Sequence, residues 1–293
     1  MKILNDPIEI ERNYAEDVLK RISKIKHIAL DMDGTIYNGD TLFPFTIPFL
    51  EQMWSKGIKC SFLTNNPSRN TSEYVEHLSD MGIHITEEEI YTSAKATIDF
   101  LKNKFPAYNR LFILGTPNMI NEFEKAGFVS VTDSESDVPD AVVVGFDKSL
   151  TYARLCRSAW WISQDKPYFA TNPDMVCPTD KETILVDCGS ICSSLEKATG
   201  RKPDVVIGKP DPRMLDGILQ RYHLQPAEVA MVGDRIYTDV MMAYNAHAIG
   251  VLVLSGETTL ETAQKADRRP DVIASDLEEF GELVLAAKAH RFQ

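Results

Sequence analysis

The sequence predicts an α/β fold: a doubly wound parallel sheet built from both ends of the chain, with a second, smaller α/β domain inserted between them. Three observations carry that prediction. Short apolar, β-branched runs alternate with amphipathic segments along almost the whole of the 293 residues, the pattern of a parallel sheet covered by helices. Two polar, turn-rich joints, "KNKFPAYN" and "TGRKP", interrupt that alternation. Clusters of acidic and small polar residues sit at the ends of several apolar runs, before the first joint and after the second.

The elements follow in order. "IEIERNYAEDVLKRISKI" predicts a leading helix within residues 1–24 that packs on the core and carries no chemistry. "HIAL" and "KCSFLT" read as strands, separated by the helical pattern "TIPFLEQMWSKG" and followed by "NTSEYVEHLSDMG". These two helices end at Gly57 and Gly82, residues suited to a left-handed helix stop. The predicted core comprises residues 1–104 and 204–293, and the predicted insert residues 105–203. The insert holds the strands "RLFILG", "DAVVVGF" and "PYFAT" and the helix "LTYARLCRSAWWISQ". The strand "DVVIG" returns the chain to the core. The helix "DPRMLDGILQRYH" then opens on an acid–proline cap, Asp211-Pro212. "EVAMVGD", "AIGVLVL" and "DVIAS" complete the predicted strands.

Composition narrows the function classes. Hydrophobic residues make up 44% and charged residues 25%, the profile of a globular protein. Lysines and arginines total 31 against 43 acidic residues, so the formal charge is 31 − 43 = −12. An acidic chain without a basic run is poorly suited to a phosphate backbone or an anionic membrane, which excludes nucleic acid and membrane as expected partners. The first twenty residues do not read as a secretory signal, and no stretch approaches bilayer-spanning length. The five cysteines, Cys60, Cys156, Cys177, Cys188 and Cys192, form no CxxC pair. They read as reduced, packed thiols of a cytoplasmic protein.

Chemistry concentrates at four places. "LDMDGT" ends the first strand in Asp31 and Asp33, with Gly34 and Thr35 allowing a sharp turn. Taken alone, this pair is as consistent with a turn or helix cap as with a site. "SFLTNNPSRN" ends a strand in Thr64, followed by Asn65 and Asn66; "VVIGKPDP" holds Lys209 on a stiff turn; "VAMVGDRIYTDV" ends a strand in Gly233-Asp234 with Asp239 one helical turn on. In a doubly wound sheet, ligands bind at the carboxyl ends of the strands, so clusters over two hundred positions apart can converge there. Asp31, Asp33 and Asp234 make a hard oxygen site suited to Mg²⁺. Thr64 offers a hydroxyl beside a backbone N–H, and Lys209 a point charge for phosphate. Phosphoryl transfer requires this positioning and charge neutralisation.

"DMDGT", "LTNN", "GKP" and "GDRIYTD", in that order, resemble the four motifs of the haloacid-dehalogenase-like (HAD) phosphohydrolases. The long insert is similar to the large α/β cap of the NagD-like, 4-nitrophenylphosphatase-type branch. The resemblance implies a Rossmann-like core and a Mg²⁺-dependent phosphatase acting on a small phosphorylated metabolite, such as a sugar phosphate, phosphoglycolate or p-nitrophenyl phosphate. It implies Asp31 as nucleophile and Asp33 as general acid/base, with Thr64, Asn65, Asn66 and Lys209 on the transferring phosphoryl group. Mg²⁺ is then held by Asp31, the Asp33 carbonyl and Asp234, with Asp239 supporting that end. The second acid, Asp33, separates a phosphatase from a dehalogenase. A phosphotransferase or phosphomutase on the same aspartyl-phosphate is the alternative, and a non-catalytic phosphoacceptor module ranks below it.

The resemblance also gives the insert a role in recognising the leaving group, through the loop "FATNPDMVCPTD" with Asn172, Asp174 and Cys177. Cys177 falls where pyridoxal-phosphate phosphatases of this type have a histidine. Where the family shows a Pro-Gly-rich turn, this chain reads "TILVDCGSI", with Asp187 before Cys188. A homodimer through the cap is a further family-based expectation. Trp160 and Trp161 read as helix packing or a cap contact. "ADRRPD" reads as a solvated turn, and the six histidines share no metal spacing.

Overall fold

The computed structural model describes residues 16–66, 69–177 and 182–290. In chain order the elements are α1 (Glu16–Ile22), β1 (His27–Asp31), β2 (Tyr37–Asn38), β3 (Thr41–Leu42), α2 (Thr46–Ser55), β4 (Lys59–Thr64), α3 (Thr71–Asp80), β5 (Ile90–Thr92) and α4 (Ser93–Lys104). Then follow β6 (Arg110–Leu114), α5 (Pro117–Lys125), β7 (Val129–Ser130), β8 (Ala141–Val144), α6 (Tyr152–Ser163), β9 (Tyr168–Ala170), β10 (Val176–Cys177), β11 (Leu185–Val186), α7 (Cys188–Thr199) and β12 (Val205–Val206). The last stretch holds α8 (Arg213–Tyr222), β13 (Val229–Gly233), a π-helical turn (Ile236–Val240), α9 (Met241–Asn245), β14 (Ile249–Val253), α10 (Leu260–Lys265), β15 (Val272–Ala274) and α11 (Leu277–Ala289). Every predicted strand and helix has its counterpart here, although the predicted leading helix is described only over Glu16–Ile22. The remainder of that segment lies outside the described residues. Among these residues no helix is long and apolar enough to cross a membrane.

Two compact units emerge. The first comprises Met1–Leu63, Leu78–Glu89 and Leu215–Gln293. Its strands lie in the order β15-β14-β13-β1-β4, and the pairings among them are parallel, with His27 opposite Val229 on one side and Lys59 on the other. β13 and β14 are buried at every residue and β1 at all but Asp31. That explains their unbroken apolar runs, since both faces of a central parallel strand are covered. Helix α11 packs on α2, where Phe49 and Phe280 stand 6.2 Å apart. Because β1 has β4 on one flank and β13 on the other, the chain reverses its winding direction at β1. The carboxyl end of β1 is thus the switch point at which such sheets bind ligands.

The second unit comprises Thr64–His77 and Ile90–Met214. Its sheet runs β12-β9-β8-β6-β7, again parallel. α4 and α5 cover one face, where Ala94, Ile98, Leu101 and Phe123 pack with Leu111, Ile113 and Phe169. α6 and α7 cover the other, where Trp161, Ile162, Ile191 and Leu195 pack with Phe112, Leu114 and Tyr168. The boundary anticipated at 104/105 falls inside this unit, because α4 buries its apolar face on β6 and its neighbours. Trp161 is core, whereas Trp160 is about half exposed. Gly57 and Gly82 adopt φ of +74° and +89°, the left-handed stops that their positions suggested.

Candidate active site

The first unit gathers three carboxylates. Asp31 closes β1, Asp234 follows the last residue of β13, and Asp239 lies in the π-helical turn; one oxygen from each falls within 4.8 Å of the others. Asp31 is partly exposed, while Asp234 and Asp239 are buried. Local folding fixes all three. Asp31 is in register with Leu63 of β4 and stands 3.5 Å from the Thr35 hydroxyl, which donates to it. Asp234 Oδ2 accepts the Glu257 N–H at 2.7 Å, and its carbonyl accepts the Thr258 N–H at 3.2 Å. Asp239 Oδ2 accepts the Arg235 N–H at 3.1 Å. The wider π turn brings Asp239 to the cluster, the kind of local helix insertion that marks functional sites.

Glycines frame this cluster because nothing larger fits. A Cβ on Gly256 would lie 2.2 Å from Asp234 Oδ2, and one on Gly34 2.5 Å from the same atom. A Cβ on Gly233 would lie 2.3 Å from Asp239 Cγ. Gly34 also carries φ +84°, which a side chain would disfavour. Arg235 supplies countercharge and pairs with Glu257 at 2.9 Å. Burial works against its guanidinium, but Asp234, Tyr237, Asp31 and Glu257 outweigh it and hold the proton above the ordinary arginine range. A hard, oxygen-only donor set held behind buried backbone suits a divalent cation of the magnesium or calcium type.

Asp33 stays outside the three-carboxylate group. It bridges to Tyr37, and its Oδ1 accepts the Gly39 N–H at 3.3 Å. The turn beneath it is closed by Gly34 N–H donating to the Tyr37 carbonyl at 2.7 Å.

The second unit holds the other predicted residues. Thr64 accepts the Asn66 N–H at 3.0 Å on its hydroxyl. Asn65 is a hub: its Oδ1 accepts the Lys209 N–H at 2.7 Å, and its Nδ2 donates to the Lys209 carbonyl and to Asp174 Oδ2, both at 3.0 Å. Its carbonyl accepts from Asn172 Nδ2 and Ser93 Oγ, also at 3.0 Å. Lys209 is buried, and Gly208 before it adopts φ +67° with the Thr171 carbonyl 2.7 Å from where a Cβ would stand. Asn66 accepts the Tyr74 hydroxyl on its carbonyl at 2.6 Å. Cys177 is buried in β10, opposite Leu185.

Sequence reasoning missed the loop after β14. Ser255 donates to the Gly34 carbonyl at 2.7 Å, and Gly256 and Glu257 contact Asp234. The signal was the "SGE" that follows the strand "AIGVLVL" on the same sheet edge. Arg235 stood inside a quoted motif without being singled out.

Comparison with known proteins decides the family. A haloacid dehalogenase-like hydrolase profile matches residues 28–129, and a second HAD-hydrolase-like profile matches residues 206–280. The ribonucleotide monophosphatase NagD of Escherichia coli K12 is 31% identical over 85% of this chain and 95% of its own length. The chain belongs to the haloacid-dehalogenase-like hydrolases, in their NagD-like branch. The crystal structure of a 4-nitrophenylphosphatase from Thermotoga maritima superposes with a TM-score of 0.84 at 40% identity, covering 90% of this chain and 99% of that one. The glycerol phosphate phosphatase of Mycobacterium tuberculosis, solved in complex with magnesium, gives 0.81 at 30% identity, over 88% and 77%. The two profile matches contain all four motifs of this HAD hydrolase and leave residues 130–205 between them. It is an enzyme of the phosphoric monoester hydrolase class.

Proposed function

We propose that this HAD hydrolase is a Mg²⁺-dependent phosphatase that cleaves a small phosphate monoester through an aspartyl-phosphate on Asp31. The observation that carries the reading is the trio Asp31, Asp234 and Asp239, the last two buried, whose oxygens lie within 4.8 Å behind a wall of glycines. That donor set fits a hard divalent cation, held by Asp31, Asp234 and the Asp33 carbonyl with Asp239 beside them. When bound, the cation neutralises phosphate charge and orients the phosphoryl group.

The chain's own residues do the rest. Thr64, the Asn65 and Asn66 backbone and Lys209 bind the phosphoryl oxygens, with Lys209 supplying a fixed positive charge. An Asp31 carboxylate oxygen attacks phosphorus as the bond to the leaving oxygen breaks, and the Asp33 carboxylic acid gives its proton to that oxygen. The Asp33 carboxylate then takes a proton from water, whose oxygen attacks phosphorus. The acyl-phosphate bond breaks, releasing inorganic phosphate and restoring Asp31. Residues 105–203 act as a cap that selects the leaving group, with Asn172, Asp174 and Cys177 in its recognition loop.

The test is turnover of p-nitrophenyl phosphate with Mg²⁺, compared with Asp31→Asn. That variant loses more than about 10³-fold in kcat while retaining its fold. Wild-type turnover in the variant refutes the mechanism. A panel of ribonucleoside monophosphates, glycerol phosphate, sugar phosphates and phosphoglycolate, compared by kcat/KM, ranks the substrates. Acceptor-dependent loss of free phosphate identifies transfer in place of hydrolysis.

A further inference from the structure

Asp187 begins helix α7 but is not placed as an ordinary cap. Its carboxylate accepts the N–H of the next residue, Cys188, at 2.5 Å, whereas a capping side chain usually reaches the second or third N–H of the helix. It is 1% exposed, and the buried Asn172 side chain on the neighbouring loop helps to favour its ionised form. The helix start is stitched to the loop that carries Asn172 and Asp174. Asp187 N–H and Ser190 Oγ donate to the Met175 carbonyl at 3.1 and 2.7 Å, and Gly189 N–H donates to the Asp174 carbonyl at 2.8 Å. A Cβ on Gly189 would lie 2.2 Å from the Pro173 carbonyl oxygen, so helix and loop cannot slide past each other. From this loop Asn172 and Asp174 reach Asn65, which clasps the Lys209 backbone at two points.

We propose that Asp187 is a positioning residue for phosphate binding: its carboxylate holds the first N–H of α7, the start of α7 holds the loop, Asn172 and Asp174 of that loop fix Asn65, and Asn65 fixes Lys209. The inference rests on reading Lys209 as a phosphate ligand. Capping alone would be served by serine, without the cost of a buried acid. The titratable groups facing Asp187 are Asp174 on the loop and Cys188 and Cys192 on α7. Burial pushes the Asp187 carboxyl up to about 6, with the charge of Asp174 adding to it and the bonds from Cys188 and Asn172 opposing it. The ionised form is the better acceptor for the Cys188 N–H, so positioning weakens as pH falls through that value.

Asp187→Asn keeps a good helix cap and removes the charge. Measured on p-nitrophenyl phosphate with Mg²⁺, KM of the variant exceeds that of wild type about tenfold at pH 8, the worth of a hydrogen bond to a charged acceptor. The ratio falls to about one at pH 5, where Asp187 is protonated in wild type. Titration of the substrate is common to both proteins and cancels in the ratio, and kcat changes less than KM. A ratio that stays at one, a ratio constant with pH, or a fall in kcat at unchanged KM overturns the inference. The upward shift of the unfolding midpoint by inorganic phosphate gives a second readout. It is larger at pH 8 than at pH 5 in wild type and equal at the two pH values in the variant. Asp187→Ser repeats both measurements with a second uncharged cap. Wild type that binds phosphate without turning over ester refutes the phosphatase reading and leaves this inference to the midpoint shifts. Wild type that shows neither overturns both.

Discussion

Gly256→Ala tests whether the glycine wall sets the geometry of the carboxylate cluster. The φ of Gly256 lies outside the left-handed range, so alanine meets a steric problem and no backbone one. Its Cβ would lie 2.2 Å from Asp234 Oδ2, 2.6 Å from Cγ and 2.7 Å from Cβ. Ordinary contact begins at 3.4 Å, so the carboxylate must retreat by 3.4 − 2.2 = 1.2 Å. It cannot do so cheaply, because Asp234 is buried and its Oδ2 is held by the Glu257 N–H at 2.7 Å. Overpacking of this kind costs about 1–3 kcal/mol of stability. Disturbing the surroundings of a metal ligand lowers metal affinity about 10–100-fold, and a misplacement near 1 Å at a reacting centre costs about 10²-fold in rate. The assay is a Mg²⁺ titration read by the unfolding midpoint and, in parallel, by turnover of p-nitrophenyl phosphate. Gly57→Ala serves as control, since it has φ +74° and nothing within 4 Å. It loses about 1–2 kcal/mol to backbone strain and keeps wild-type Mg²⁺ dependence. A Gly256→Ala protein with the wild-type Mg²⁺ midpoint would show that the wall does not hold Asp234, and the reasoning fails.

His27 predicts an acid limb of stability. Burial first, and then the charge of Lys59, lower its pKa from 6.5 to about 4, and its Nε2 meets Ser61 Oγ at 2.8 Å. The unfolded chain therefore binds more protons between those values, so the stabilisation is present above pH 6.5 and is lost as pH falls through 4. The difference, 6.5 − 4 = 2.5 pH units, corresponds to about 3 kcal/mol. His27→Gln flattens urea-unfolding stability across that window, and an unchanged slope contradicts the assignment. Asp239→Asn removes one charge from the cluster while keeping an acceptor for the Arg235 N–H. It weakens the Mg²⁺ midpoint by about tenfold or more, and calorimetry that finds equal affinity excludes Asp239 from the cation's surroundings.

What the sequence reveals here is what one segment of chain can encode alone. β1, β13 and β14 were legible because central parallel strands are apolar on both faces, and Asp31 and Asp234 because they follow such runs directly. The β2–β3 hairpin went unread although "GD" at Gly39-Asp40 carries a hairpin signature, with Gly39 at φ +59° in the first of two loop positions between the paired Asn38 and Thr41. The Asp234–Glu257 bond joins residues in different loops, and no periodicity announces it. The reach of the second unit back to Ile90 depends on which partner the apolar face of α4 chooses, and amphipathicity gives only that a partner exists. The π turn that brings Asp239 to the cluster looks, in sequence, like an ordinary helical turn.

The division of labour between the two acids of "DMDGT" follows from where each side chain ends. Two carboxylates 4.8 Å apart repel by about 3 kcal/mol at an effective dielectric near 20. Asp31, Asp234 and Asp239 place three such groups together, and the Arg235 guanidinium beside them is shared with Glu257. The cluster thus carries a surplus of at least two negative charges, the charge a divalent cation matches. Ligand carboxylates must remain deprotonated while they hold a cation, so none of the three can donate a proton to a leaving alcohol. The proposed reaction needs that donor close to Asp31 in the chain and outside the cluster. Asp33 meets both conditions, its Oδ1 held only loosely by the Gly39 N–H at 3.3 Å. On this reasoning Asp33→Asn spares Mg²⁺ binding and loses most on substrates whose leaving group is a poorly acidic alcohol. p-Nitrophenyl phosphate, whose leaving phenolate needs little protonation, suffers less. Equal losses on both substrates would remove Asp33 from the role of acid.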